Sequence, residues 1–315
     1  MKNTIKTLAF TALVLSSIAV KAQQQPNFLF FEQNMSLLNP AYTGSEGSLA
    51  GLQYRSAWSG IEDAPRAATF IYHTKEKNKA SWGLSYLSDR VYVENQGLVA
   101  IDYSYRLRLG DNTNLHLGLK AGALFNNIDL DGLNRITQES NANLNNIQNY
   151  MNPLIGVGVL LKNKKYFLGI STPNILNSKR FKEVEGIQTT ATDKPHLYTT
   201  AGVHLKLNST FKLSPSMVYR MVADAPNQLT TIARLTLKDQ VSLGIGVSNN
   251  DYISTMLQIK MKQIDLGFGY EIGQRTSSTA LRANTTEFML RYRFGQRDYK
   301  APSESKKESE ENNDN

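Results

Sequence analysis

From Ser48 to Phe294 the chain alternates apolar and polar residues with a period of two, and helical periodicity is scarce. In 196–207, Leu197, Thr199, Ala201, Val203, Leu205 and Leu207 share one face, while His196, Tyr198, Thr200, Gly202, His204 and Lys206 share the other. The same division recurs in 114–125, 241–248 and 263–272. Marking every such run predicts about fourteen strands, at 48–58, 66–73, 80–88, 97–109, 113–125, 153–161, 166–171, 196–207, 211–220, 228–237, 241–248, 252–260, 263–272 and 284–294.

The connections sort by length. Short polar turns at 75–79, 110–112, 162–165, 208–209, 238–240 and 262 alternate with longer loops at 59–65, 88–96, 126–152, 172–195, 221–227 and 273–283, and only 249–251 in the second set is short. Short turns on one side and long loops on the other fit an all-β transmembrane barrel of the outer membrane, with antiparallel strands, short periplasmic turns and longer extracellular loops. Charge supports this. Arg55, Asp102, Arg106, Arg108, Lys120, Lys206, Lys212, Arg220, Arg234, Lys260, Asp265, Glu287, Arg291 and Arg293 all fall opposite the apolar face. A Lys or Arg facing lipid at the midplane costs about 2–4 kcal/mol. Aromatic residues gather near the ends of the apolar faces, as girdles do: Tyr54 and Trp58, Phe70 and Tyr72, Trp82 and Tyr86, Tyr103 and Tyr105, and 288–294. Pro215, inside a strand, predicts a bulge or an early strand end.

Ahead of the barrel, Lys2, Lys6, an apolar stretch from Leu8 to Val20 and the sequence Val20-Lys21-Ala22 have the order of a signal peptide, residues 1–22, cleaved near Ala22. The stretch is too short for a comfortable membrane-spanning helix, and no later segment offers about 18 uninterrupted apolar residues. Removing the signal lowers the formal net charge from +8 to about +5, with no lysine-rich block to suggest nucleic acid. The chain has no cysteine, which excludes disulfides, thiolate metal sites and a lipidated N-terminal cysteine. After Phe294 the sequence GQRDYKAPSESKKESEENNDN is too polar to bury and reads as a disordered periplasmic tail, 296–315.

No catalytic, cofactor or metal site emerges. The four histidines, His73, His116, His196 and His204, show no zinc spacing, and no Gly-x-Ser-x-Gly elbow occurs. The glycine pairs Gly156/Gly158, Gly244/Gly246 and Gly267/Gly269 follow strand spacing; facing the lumen, they would leave room for something large or let the strands bend. The expectation is a non-enzymatic barrel. Its lumen would be lined by Arg55, Arg106, Arg108, Lys120, Lys206, Arg234, Arg291 and Arg293, a basic wall suited to orienting an acidic segment or selecting anions.

The stretch NMSLLNPAYTGSEG, followed by GLQYRSAWSG, SWGLSYLSDR, AIDYSYRLRL and LHLGLKAGALF, resembles the PorP/SprF family of Bacteroidota outer-membrane proteins tied to type IX secretion and gliding motility. The motif residues are Asn39, Pro40, Ala41, Tyr42 and Gly44, and Arg55 to Trp58 match an Arg-x-x-Trp strand end. The resemblance implies a barrel (48–295) bound in outer-membrane lipid beside the periplasmic and outer-membrane components of the type IX machine. There it would assist export or surface anchoring of a large adhesin or other cargo with a C-terminal sorting domain. The rival reading is a channel for small or anionic solutes. Phe28, Phe30, Phe31, Leu37, Leu38 and Tyr42 are too apolar for a free periplasmic arm. The segment 23–47 is therefore expected to fold into the periplasmic mouth as a plug or docking element, turning into the first strand at Asn39-Pro40 and Gly44. The loops 126–152 and 172–195 are the expected cargo contacts because of their length.

Overall fold

The computed structural model describes residues 28–58, 64–92, 94–128, 150–184, 187–223, 225–249, 252–273 and 284–295, with backbone only at 128, 178–184 and 187–193. The expected signal peptide, the tail at 296–315 and most of the loop 126–152 lie outside the described residues.

In chain order the strands are β1 (Leu49–Ser56), β2 (Arg66–His73), β3 (Ala80–Val91), β4 (Glu94–Arg108), β5 (Thr113–Ile128), β6 (Tyr150–Asn163), β7 (Tyr166–Thr172), β8 (Ser178–Val184), β9 (Ile187–Asp193), β10 (His196–Val203), β11 (Leu205–Lys206), β12 (Phe211–Val222), β13 (Gln228–Leu237), β14 (Val241–Ser248), β15 (Tyr252–Lys260), β16 (Ile264–Gly273) and β17 (Thr285–Arg293). Neighbours in sequence pair as antiparallel hairpins, β7 pairs with β10, and β1 closes on β17 from Leu49↔Arg293 to Ser56↔Thr286. The result is a closed antiparallel barrel of fourteen strands, with β11 the continuation of β10. Closure leaves no unpaired edge, the condition for a sheet to stand in lipid.

Alternation decides which face meets lipid. On β4 and β5 the outward Ile101 and Leu119 are each 57% exposed, while their inward neighbours Ala100 and Lys120 are 1% exposed. So much outward apolar surface would be a liability in water and is the requirement of a bilayer. Outward rings collect at the mouth formed by the short turns, where Trp82 packs at a tilt against Tyr103 at 4.9 Å and Phe294 contacts Tyr72 and Tyr292. At the opposite mouth Trp58 lies 5.8 Å from Tyr92.

Three expectations need correction. β3 and β4 extend their ladder to Val91↔Glu94, so the span 88–96 is a hairpin end and not a long loop. The span 172–195 contains a second sheet, the hairpin of β8 and β9 from Ser178↔Asp193 to Val184↔Ile187; its sequences SKRFKEV and IQTTATD lack the strict apolar–polar alternation of the barrel strands, so period two does not reveal it. Pro215 neither bulges nor ends β12, which stays in register with β13 through Pro215↔Ala233. The missing N–H acts on the other neighbour. The ladder to β10 stops at Gly202↔Ser216 and resumes in the same register at Leu205↔Leu213.

Candidate functional site

The barrel is filled from within. A segment before β1 folds as a 3₁₀ turn, Phe31–Asn34, a single helical turn α1, Met35–Leu38, and a second 3₁₀ turn, Pro40–Tyr42. Helices this short have no stability of their own in water, so the wall must hold them. The contacts run around the whole ring, from β1, β2 and β4 through β6, β7 and β10 to β13 and β17, which places the segment in the lumen. Leu29, Phe30, Phe31, Met35, Ala41 and Tyr42 form one buried cluster with the inward Leu160, Ile232, Met256 and Met289. The inner wall is thus locally apolar where the segment lies.

At its deeper end the segment is gripped by one carboxylate. Glu287 on β17 accepts the backbone N–H of Leu29 at 2.8 Å and of Phe30 at 3.0 Å, and Arg55, which also pairs with Glu271 at 2.6 Å, stands 3.6 Å from it. Gln53 donates to the Phe30 carbonyl at 2.8 Å, and Asn34 donates to Gln53 and Thr69. Glu32 forms an ion pair with Arg234.

The motif residues make the middle of the segment. Asn39, fully buried, accepts the Ala41 N–H at 2.9 Å with its side-chain oxygen, and its amide donates to the Val159 carbonyl at 3.0 Å. Pro40 fits the first position of the 3₁₀ turn, where a missing N–H costs nothing. The Ala41 carbonyl accepts from Ser104, and the Leu38 carbonyl from Ser171. Tyr42 hydrogen-bonds Thr200 at 3.2 Å and meets Phe167 edge-on, and burial pushes its hydroxyl well above the ordinary range. Gly44, at φ +70, lies against Ser81, where a side chain would collide. Two wall glycines allow the backbone this close: a Cβ on Gly118 would lie 2.1 Å from the Ala41 nitrogen, and one on Gly158 would lie 2.0 Å from Asn39. Gly267 and Gly269 likewise face Phe30 and Leu29, whereas Gly156 meets Pro173 and Gly244 and Gly246 meet side chains of their own sheet.

At the short-turn mouth Glu46 is a hub. It lies 2.7 Å from Arg291, 3.3 Å from Arg293 and 3.8 Å from Lys162. Partial burial pushes its carboxyl up, but Arg291, Lys162 and Arg293 outweigh this and hold it well below the ordinary value of 4.5.

The eight basic residues named from the sequence are therefore not one field. Arg55, Arg234, Arg291 and Arg293 answer carboxylates of the inner wall or of the segment. Lys120 and Asp102 form a fully buried pair at 2.8 Å, with Ser85 hydrogen-bonded to the same aspartate. Arg106 grips Glu76 through two nitrogens at 2.6 and 2.7 Å, Arg108 pairs with Asp111 on the rim, and Lys206 is exposed there. Sequence reasoning missed Glu32, Glu46, Gln53 and Glu271 as partners. The signal was available: Glu32 and Glu46 are the only charged side chains between 23 and 47, facing a wall with a surplus of cations. Among the described residues no group of three or more histidine or acidic side chains is placed to hold a metal ion.

A closed fourteen-stranded barrel with a lipid-exposed outer face and its own N-terminal segment inside is an outer-membrane β-barrel. The family model for the type IX secretion system membrane protein PorP/SprF matches residues 20–292, and the chain belongs to that family. Comparison with curated proteins gives no match. Among solved structures the chain is similar to the Acinetobacter baumannii outer membrane protein Omp33 (9% identity, 78% of this chain and 98% of that one, TM-score 0.45). It is also similar to the P. putida toluene transporter TodX (9% identity, 84% and 95%, TM-score 0.47).

Proposed function

We propose that this protein is a sealed, non-enzymatic barrel of the type IX machine that assists export or surface anchoring of a large secreted protein, such as an adhesin used in gliding, in a bacterium of the Bacteroidota. The observation that carries the reading is the N-terminal segment, which is bound to the wall around the ring and whose two acids answer lumen arginines. Such a segment serves as a plug: the envelope stays closed while the barrel acts as a holder at the surface. The β8–β9 hairpin, on the side of the long loops, is the described element best placed to meet cargo. A channel for anionic solutes needs cations free to face the solute, and Arg55, Arg234 and Arg291 are engaged by carboxylates.

The test is deletion of the gene followed by quantitative proteomics of surface and medium. Loss of one large adhesin from the surface, with or without its appearance in the medium, is the expected result for a dedicated partner, and general loss that for a core component. An unchanged profile, together with steady ion conductance of the purified barrel, would favour the channel.

A further inference from the structure

Among the described side chains the two mouths of the barrel differ in charge. At the short-turn mouth, among the described residues, every carboxylate already has a cation: Glu46 has Arg291, Glu76 has Arg106, Asp111 has Arg108, Asp239 has Lys212 and Asp265 has Arg293. Among the described residues the turns here still carry exposed lysines with no acidic partner, at Lys75, Lys77 and Lys79 between β2 and β3, Lys164 and Lys165 between β6 and β7, and Lys238 and Lys262 beyond. The opposite mouth is nearly balanced, with Arg55, Arg66, Arg90, Lys194 and Arg220 against Asp89, Glu94, Glu271 and Glu287 among its described side chains.

Direction matters as much as charge. Lys206 continues the inward face of β10, opposite the outward Leu205 and Leu207, so its charge belongs to the opening and not to the lipid-facing circumference. The hairpin end at 75–79 extends past the level of Trp82 and Tyr103, whose rings mark the headgroup zone. Lysine is a compact charge on a flexible stem, suited to a run of acidic residues and not to one fixed carboxylate.

We propose that the short-turn mouth docks an acidic polypeptide segment of a periplasmic partner. This deepens the reading of the barrel as one part of a larger export machine, and it rests on that reading for the short turns standing in the periplasm. The uncompensated lysines attract the segment over the opening, where Lys206 meets it, and the Glu46 hub keeps the plug closed beneath it. Attraction of this kind speeds association and selects the partner.

The test uses the full-length barrel in phosphatidylcholine nanodiscs, with a fluorescent peptide of alternating Glu and Ser as the probe and anisotropy as the readout. Binding should weaken steadily as salt is raised. The triple variant Lys75→Glu, Lys77→Glu, Lys79→Glu should lose about tenfold in affinity, whereas an equal charge change at the other mouth, Arg66→Glu, Arg90→Glu, Lys194→Glu, should lose little. Heat-modifiable migration in gels checks that both variants are folded. Equal losses in the two variants, or none in either, would overturn the proposal. So would failure to bind the peptide alongside lysine-dependent binding to phosphatidylglycerol vesicles, which would assign the lysines to lipid headgroups. The peptide assay does not involve export, so its failure and an unchanged secreted profile in the deletion strain are separate results.

Discussion

The two ends of the internal segment are held by opposite means. At the deep end Leu29 and Phe30 are 2% and 1% exposed, sit against Gly269 and Gly267, and give their backbone N–H groups to a carboxylate that is itself fully buried. At the mouth, Glu46 has 34% of its side chain exposed and is held by charges that water and salt can reach. Desolvated hydrogen bonds to a charged group are worth about 1.5–3 kcal/mol each, while exposed ion pairs contribute about 0–1 kcal/mol. The difference teaches an order of release: a mild disturbance frees the mouth end first, and only a steric or desolvation defect frees the deep end and middle.

The largest effect should come from the middle, where wall and segment meet backbone to backbone. Gly118→Val places side-chain atoms where Ala41 and Pro40 already lie, and neither backbone can move without breaking the Asn39 and Ala41 hydrogen bonds. Overpacking costs about 1–3 kcal/mol where side chains can adjust, and more here. We expect expulsion of the segment, seen as open-pore conductance and proteolysis near Tyr42, with the barrel itself still heat-modifiable. Gly246→Ala, whose Cβ meets the Ser254 hydroxyl at 2.4 Å and Ile232 at 3.3 Å but no atom of the segment, is the matched control and should leave conductance at the parent level. Next comes Glu287→Ala, which removes the acceptor for two amides and leaves Arg55 with Glu271 alone. The expected cost is about 2–4 kcal/mol to docking of the deep end, read as faster hydrogen exchange at Leu29 and Phe30 with Ala41 little changed.

Much of this was legible in the sequence, for a physical reason. A strand in lipid must show an apolar residue at every second position, so β13 to β16 announce themselves by alternation, and the turn chemistry then sets their register. The motif at 39–44 was readable as a turn because Pro40 fixes φ and Gly44 permits the positive φ that a turn needs. What escaped were features that answer to neighbours distant in sequence. Ile232 and Met256 face inward although the lumen of an open barrel is wet, since they cover Phe30 and its neighbours, and no periodicity marks an inward position as dry. The pairing of Arg234 with Glu32 joins residues 202 apart and needed the fold to be seen. β8 and β9 escaped because they pair in a two-stranded sheet of their own, apart from the barrel sheet, and their sequences do not alternate as the barrel strands do.

A smaller effect is expected at Glu32 and Arg234, whose side chains are 11% and 10% exposed. Glu32→Gln should weaken docking of the first 3₁₀ turn, and a double-mutant cycle with Arg234→Gln should return a coupling of about 1–3 kcal/mol. A coupling near zero would place this pair with the mouth and not with the deep end.

The smallest effect belongs to Glu46, and it separates the two ends most cleanly because it can be switched without mutation. A carboxyl whose value is lowered on docking contributes its full stabilisation above its free value of 4.5 and loses it as pH falls through the lower docked value. Hydrogen exchange around Gly44 to Gly47 should therefore be flat from pH 7 to about 5 once corrected for intrinsic rates, and then rise on further acidification. Because Glu46 is one-third exposed, its contribution should stay below about 1 kcal/mol. About 1 M salt at neutral pH should mimic most of the acid effect, since screening there acts over about 3 Å. Glu46→Gln should remove both the acid and the salt response while leaving Leu29 and Phe30 protected. If those deep residues opened together with the mouth under acid or salt, the segment would be a single cooperative unit, and the order of release argued from its two anchors would be wrong.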